Sequence, residues 1–218
     1  IAPNLPDIDI TKPTTRYTID ETADMTPADA HIIKPNHSEW PLVFMTVLTQ
    51  ISLGGFACIA LIEFLNLIGF NLEAINIWMI IAVFLPAAIG LPLSALHLGR
   101  PLLAHTAMKN IKNSWLSREA LALGLYALGL SILIVLFFFE AGRFFRFIIE
   151  SAVLGAGIYG IYAQSMIYRI KARPSWNKEE TTKIFFNVSY IGLLLVSLIL
   201  VLNNHYSTAS VILPFALY

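Results

Sequence analysis

The sequence predicts an all-α fold, a polytopic bundle of transmembrane helices with an extended N-terminal strap. Of its 218 residues, 57% are hydrophobic and only 13% are charged, and the mean hydropathy is +0.70. Soluble domains usually carry about 25% charged residues, so the shortfall indicates that a lipid bilayer surrounds much of the chain. The formal net charge of zero argues against a nucleic-acid partner, because domains that bind nucleic acid are usually basic.

Five apolar stretches are each long enough to cross a bilayer, which takes roughly 20 residues. They cover about residues 41–66, 74–97, 119–140, 145–168 and 184–204. A sixth stretch, 207–218, is apolar but too short to cross alone, and we interpret it as a partial span of a chain that continues. Two prolines, Pro86 and Pro92, interrupt the second stretch and predict a kink or a local unwinding there.

The N-terminal residues differ in character from the rest of the chain. The first 36 residues contain five prolines and six acidic residues, with no sustained apolar periodicity. We therefore divide the chain into a strap, residues 1–39, and a membrane domain, residues 40–218. The strap is expected to become ordered on a partner protein, and an unstructured tail is the alternative.

Basic residues are distributed unequally between the two sides of the predicted bundle. Because successive spans alternate in direction, the strap and the loops 98–118 and 169–183 share one side, named face A, and the short turns share the other, named face B. Twelve of the 14 Lys and Arg residues fall on face A. The positive-inside rule then predicts a multi-pass protein of the cytoplasmic (inner) membrane with face A in the cytoplasm, unless a folded partner is exported.

Ligation of a haem is the first redox function to consider. A haem in a membrane bundle would typically need histidine pairs at matching depth on facing helices, and of the five histidines only His97 is expected inside a span. We therefore expect no haem in this chain. The single Cys58 lies in an apolar run and offers neither a disulfide nor a thiolate metal site.

The most informative group of polar residues lies where the second span ends and the third begins. His97 ends the second span, Arg100 follows it, and Glu119 opens the third. Oxidation of a quinol releases two protons and two electrons, so an imidazole and a carboxylate at one depth could each accept a proton. Arg100 would stabilise negative charge on the head group or on Glu119, and we add Trp40 and Gln50 to this predicted quinone site from helix geometry.

Both proton acceptors also have a purely structural interpretation. His97 could cap the end of the second helix, where a cation is favoured. Glu119 could lie in the first turn of the third helix behind Ser117 as the N-cap residue. Glu63 and Glu150 lie nearer face B; we expect each to reach the membrane interface from its helix end, and the alternative is a proton path.

Four ordered blocks of residues carry a resemblance to a known family. They are Glu39-Trp40-Pro41-Leu42 with Thr46, Gln50 and Gly54-Gly55-Phe56; His97-Leu98-Gly99 with Pro101 and Ala104; Leu116-Ser117 with Glu119; and Tyr168-Arg169 with Ala172-Arg173-Pro174-Ser175-Trp176-Asn177. From Trp40 to about Phe186 the chain resembles the membrane-anchor subunits of dimethyl sulfoxide reductase and related molybdopterin oxidoreductases. The segment from Pro13 to Tyr17 looks like the linker of fused iron–sulfur and anchor proteins.

The resemblance implies an anchor that binds a ferredoxin-like iron–sulfur subunit and a molybdopterin catalytic subunit. Such an anchor binds quinol, with menaquinone expected here, and leaves the iron–sulfur clusters and molybdopterin to its partners. By matching position, His97 and Glu119 are implied as the residues that act on the quinol. The residues expected to contact the partners are Arg16, Tyr17, Lys109, Lys112, Arg173 and Trp176.

Two other functions compete with this one. A purely structural anchor would leave the partner to reach quinone without help from this chain. A small-solute transporter would typically show an inverted repeat and a polar site near the middle of the bilayer. The sequence shows no such repeat, and its polar residues are expected to avoid the midplane.

Overall fold

Regular secondary structure in the described part of the chain is helical. The computed structural model describes residues 39–72, 75–96, 109–170 and 173–217. The helices are α1 (Trp40–Leu67), α2 (Ile77–Leu96), α3 (Trp115–Phe138), α4 (Arg143–Tyr168), α5 (Glu179–Asn187), α6 (Ser189–Leu202) and α7 (Tyr206–Leu217). Helices α1 to α4 and the pair α5–α6 make five apolar spans. The predicted class and number of spans are therefore confirmed, and α7, with 12 residues, is too short to be a sixth.

The third span begins earlier than the sequence predicts, which changes the position of Glu119. Ser114 has an extended backbone and is the N-cap residue, because its side chain accepts a hydrogen bond from the backbone N–H of Ser117 at 3.3 Å. The prediction of Ser117 as the N-cap is therefore wrong. Glu119 lies in the second turn of α3, within the bundle.

Helix α1 is the most buried of the spans and packs against α2, α4 and α6. Glycines allow α1 to approach α6 very closely. A Cβ atom at Gly54 would collide with the backbone carbonyl of Ser189, and one at Gly192 would collide with the carbonyl of Ile51. Small residues commonly allow such backbone contact between membrane helices, so α1 and α6 can pack this closely only with glycine at these positions.

The helix of the second span is continuous, and the middle of the bundle contains polar side chains that the sequence did not predict there. Helix α2 continues through Pro86 and Pro92, so neither proline unwinds it. Midway along the spans, Tyr126 donates to the hydroxyl of Ser52 at 2.9 Å, and Ser52 donates to the carbonyl of Val83 at 2.5 Å. Polar residues therefore do not avoid the midplane; their burial is offset because each hydroxyl finds a partner.

The outer surface of the bundle is apolar, as expected of helices surrounded by lipid. Large apolar side chains remain exposed along several spans, including Leu85, Leu125, Leu128, Ile132 and Leu198. The strap lies outside the described residues apart from Glu39, so the division into strap and membrane domain stays a prediction.

The two ends of the bundle correspond to the predicted faces. At face A, one cavity is lined by Leu42 of α1, Ala95 of α2, Leu116 of α3 and Tyr168 of α4. At face B, Glu63 near the end of α1 lies beside the first residues of α4. The spans thus alternate in direction, and the residues with possible chemistry fall into two groups at opposite ends.

Candidate functional site

A cavity of about 250 Å³ opens at face A between α1, α2, α3 and α4. A cavity of about 150 Å³ can hold a benzene molecule, so this one has room for an aromatic head group. Most of its walls are apolar, as is usual for sites that bind small molecules. Its described lining comprises Leu42, Met45, Thr46, Leu91, Ser94, Ala95, Leu116, Glu119, Ala120, Leu123, Gln164, Ile167 and Tyr168.

Glu119 is the acidic residue on the described wall of this cavity. Only 4% of its surface is exposed, and its Oε1 accepts a hydrogen bond of 2.8 Å from Nε2 of Gln164. Helices α3 and α4 pack side by side, which brings the two side chains together. Because a buried carboxyl group without a hydrogen bond is strongly destabilising, Gln164 stabilises Glu119 in this position and fixes its orientation.

Gln164 also links Glu119 to α1. Its Oε1 accepts a hydrogen bond of 3.4 Å from Gln50, and its Nε2 lies 3.3 Å from the sulfur of Met45. Gln50 is buried, with 1% exposed, and is not among the described cavity-lining residues. The structure therefore places Gln50 behind Gln164, where it can influence Glu119 only through the intervening amide.

The remaining polar groups on the wall have different surroundings. The hydroxyls of Thr46 and Ser94 donate to carbonyls of their own helices, at 2.9 and 2.6 Å. The ring of Tyr168 packs against Trp176 and Phe185, with centroids 6.1 and 5.1 Å away. These contacts fix Tyr168 between the cavity and the exposed loop that follows α4.

Besides Gln50, three residues of the predicted quinone site are not among the described residues of the cavity wall. His97 and Arg100 lie outside the described residues. Ala95 lines the cavity, and His97 follows it by two positions in the sequence. Trp40, the first residue of α1, is 66% exposed and contacts Phe44. The roles of these three residues stay predictions.

The residues expected to contact partner subunits are exposed wherever the structure describes them. Lys109 and Lys112 lie in the turn before α3, and Arg173 and Trp176 in the loop after α4. Arg16 and Tyr17 lie outside the described residues. The docking assignments stay predictions.

The turn before α3 is held by Arg118, a residue to which sequence reasoning assigned no such role. The guanidinium of Arg118 donates to the carbonyls of Ile111 and Lys112 at 2.8 and 2.7 Å, and it stacks over the ring of Trp115 at 4.2 Å. Arg118 therefore fixes how the two lysines of this turn are presented at face A.

Sequence reasoning also missed Gln164. A lone amide among the apolar residues of a span was the available signal, because an amide in a bilayer needs a hydrogen-bond partner.

Within the described ranges, no three His, Cys, Asp or Glu side chains come together in a way that could hold a metal ion. On the described wall, the cavity presents a buried carboxyl group, that of Glu119, held by a hydrogen bond from Gln164.

Comparison with known proteins agrees with this picture. The family described as DMSO reductase anchor subunit (DmsC) matches residues 34–217. A relative from Haemophilus influenzae, the C subunit of an anaerobic dimethyl sulfoxide reductase, is 27% identical over 171 residues, which are 76% of this protein and 60% of the relative. The protein thus spans about 60% of the length of this curated relative. No solved structure matches it.

Proposed function

The chain belongs to the DMSO reductase anchor subunit family, and on that premise we propose that it binds a quinol in the face A cavity and passes electrons to an iron–sulfur subunit. The observation that supports this most is the buried carboxyl group of Glu119, oriented by Gln164 at the wall of an apolar cavity. We propose menaquinol as the substrate. The iron–sulfur clusters and the molybdopterin belong to partner subunits in this proposal.

The apolar walls of the cavity pack against the ring of the quinol and keep it out of water. Oxidation converts the quinol into the quinone with loss of two protons and two electrons. Glu119 accepts the proton of one hydroxyl, and His97 is proposed to accept the other. The two electrons would pass one at a time to the iron–sulfur clusters of the partner subunit, and their charge balances that of the two protons released.

Gln164 makes Glu119 an efficient proton acceptor by fixing its geometry. Its N–H group donates to Oε1, so the plane of the carboxyl group is set before the quinol binds. Proton transfer requires the acceptor within hydrogen-bond distance of the hydroxyl, and preorganisation removes the cost of that alignment from the reaction step. Gln164 is therefore a positioning residue in this proposal.

Face A is also the proposed docking surface. The exposed Lys109, Lys112, Arg173 and Trp176 occupy loops that flank the elements lining the cavity. A partner bound there would bring an iron–sulfur cluster close to the quinol, which electron transfer between proteins requires. The excess of basic residues on this side supports a cytoplasmic face A in the inner membrane.

Replacing Glu119 by Gln in the assembled complex tests the proposal. We expect quinol-driven turnover to fall by about 10²- to 10⁴-fold, the usual contribution of a general base. Turnover driven by a reduced dye that feeds the partner subunits directly should be unchanged. Glu180→Gln, which removes an exposed carboxylate at the start of α5, is the matched control.

The competing function is a purely structural anchor. If Glu119→Gln leaves both quinol-driven turnover and binding of a quinone analogue unchanged in an intact complex, the cavity does not oxidise quinol. The same measurements on His97→Leu test the second proton acceptor independently.

A further inference from the structure

A second group of ionisable side chains lies at face B, between α1 and α4. Glu63 and Glu150 are 2% and 1% exposed. The expectation that both carboxyl groups reach the membrane interface is therefore wrong, because each points into the helix contact. The carboxylate oxygens of Glu63 lie 3.7 Å from Nε of Arg143 and 3.9 Å from Nη2 of Arg146.

Glu150 differs from Glu63 in having no such contact. Both of its carboxyl oxygens are buried and have no hydrogen-bond partner within the described part of the chain. The charged groups that act on it are Glu63 across the helix contact and Arg146 one turn earlier on its own helix. From α3, the ring of Phe137 packs against Arg146 at 4.2 Å and contributes no charge.

Arg146 makes no hydrogen bond to Glu150, because both carboxyl oxygens of Glu150 have no described partner. It contacts Glu63, and one of its N–H groups donates to the carbonyl of Ala141 at 3.1 Å. Arg143 is half exposed at 50% and contacts Glu63 only through its Nε. A buried carboxylate without hydrogen bonds is strongly unfavourable, so Glu150 needs a positive charge or a proton of its own.

A proton suits this environment better than a metal cation. The guanidinium of Arg146 lies among the same groups and would repel a cation. Two buried donors nearby, Nε of Arg146 and Nδ2 of Asn66, also have no described hydrogen-bond partner. Asn66 lies one helical turn beyond Glu63 on α1. Buried donors of this kind are usually satisfied by ordered water.

We propose that Glu150, Glu63 and Arg146 form a proton-binding site at face B, in which Glu150 holds the proton and buried water connects it to the aqueous phase. Glu63 lies between the two arginines, 3.7 Å from Arg143 and 3.9 Å from Arg146. The site does not depend on quinol binding at face A, and it gives the membrane domain a proton-exchanging group on the opposite side of the bilayer.

Infrared difference spectroscopy of the intact complex tests this proposal. We expect Glu150→Gln to remove one carbonyl-stretch band of a protonated carboxyl group. In the wild-type protein that band should shift on transfer to D₂O, because water exchanges the proton. Glu180→Gln, an exposed carboxylate, should change only the carboxylate region of the spectrum. An amide is nearly isosteric with a neutral acid, so we expect the Tm of Glu150→Gln to match that of the wild type.

Several results would overturn the proposal. Loss of a carboxylate band instead of a protonated-acid band would show that Glu150 is ionised. A band that does not shift in D₂O would remove the connection to water. If Glu150→Gln fails to accumulate, Glu150→Asp is the second variant: it keeps a carboxyl group and should shift the band, and an unshifted band would show that the signal arises from another residue.

Discussion

The two ends of the bundle each bury acidic side chains, but they satisfy them differently. At face A, Glu119 receives a hydrogen bond from the neutral amide of Gln164 and borders a cavity. At face B, Glu63 lies beside two arginines, while Glu150 has no described hydrogen-bond partner. At face A, a neutral donor orients the carboxyl group without placing a charge beside it. At face B, Arg146 contacts Glu63, and Glu150 is proposed to bind a proton.

This difference shows that burial alone does not define the chemistry of an acid in a membrane bundle. The partner decides it, because the same side chain can be oriented, ion-paired or protonated according to what lies within hydrogen-bond reach. The following substitutions distinguish the contributions of the two polar groups, beginning with one that should disrupt both.

Replacing Gly54 by Leu should have the largest effect. The new side chain would collide with the backbone of Ser189, and α1 carries residues of both polar groups, so both should be lost as α1 and α6 separate. Overpacking commonly costs about 1–3 kcal/mol, and a backbone collision belongs at the upper end. Gly124→Leu is the control because a Cβ atom there meets no neighbour within 4 Å. Equal abundance of the two variants in the membrane would contradict the packing described for α1 and α6.

Replacing Glu63 by Gln should disrupt face B alone. Arg146 would lose its acidic partner inside the bundle, and removing one member of a buried ion pair costs about 3 kcal/mol. We expect a lower Tm and ionisation of Glu150, which would take over the pairing with Arg146. Arg143→Gln, which removes a half-exposed partner, should cost under about 1 kcal/mol. Thermal unfolding of the two purified variants measures the difference, and equal losses would mean that Arg146 does not depend on Glu63.

Replacing Gln164 by Leu should disrupt face A with a smaller loss of stability, about 1–3 kcal/mol, because Glu119 would lose its donor. Quinol-driven turnover should fall with it, since the carboxyl group is no longer oriented. Gln50→Leu removes only the 3.4 Å contact behind Gln164 and should cost about 1 kcal/mol or less. If the two variants slow quinol oxidation equally, Gln50 acts on the quinol directly and the order of residues proposed here is wrong.

Much of the fold follows from local sequence. Span length and hydropathy predict five crossings, and the structure contains five. The sequence pattern places the start of α3 too late because Trp115 and Leu116 continue the helix toward the membrane surface, and Ser114, not Ser117, meets the free backbone N–H groups. Glu119 is predicted as a site residue on face A, and the structure adds that it borders a cavity.

Length, apolar content and the alternation of spans are enough to determine the class of the protein, the number of spans and the end of the bundle at which most basic residues lie. Tertiary packing was needed to establish which polar residues meet. Gln164 is 45 residues from Glu119 and 114 from Gln50, and Glu63 reaches arginines on a different helix. Such contacts depend on the rotation and closeness of packed helices, set here by Gly54 and Gly192, and a one-dimensional pattern of hydropathy does not encode them.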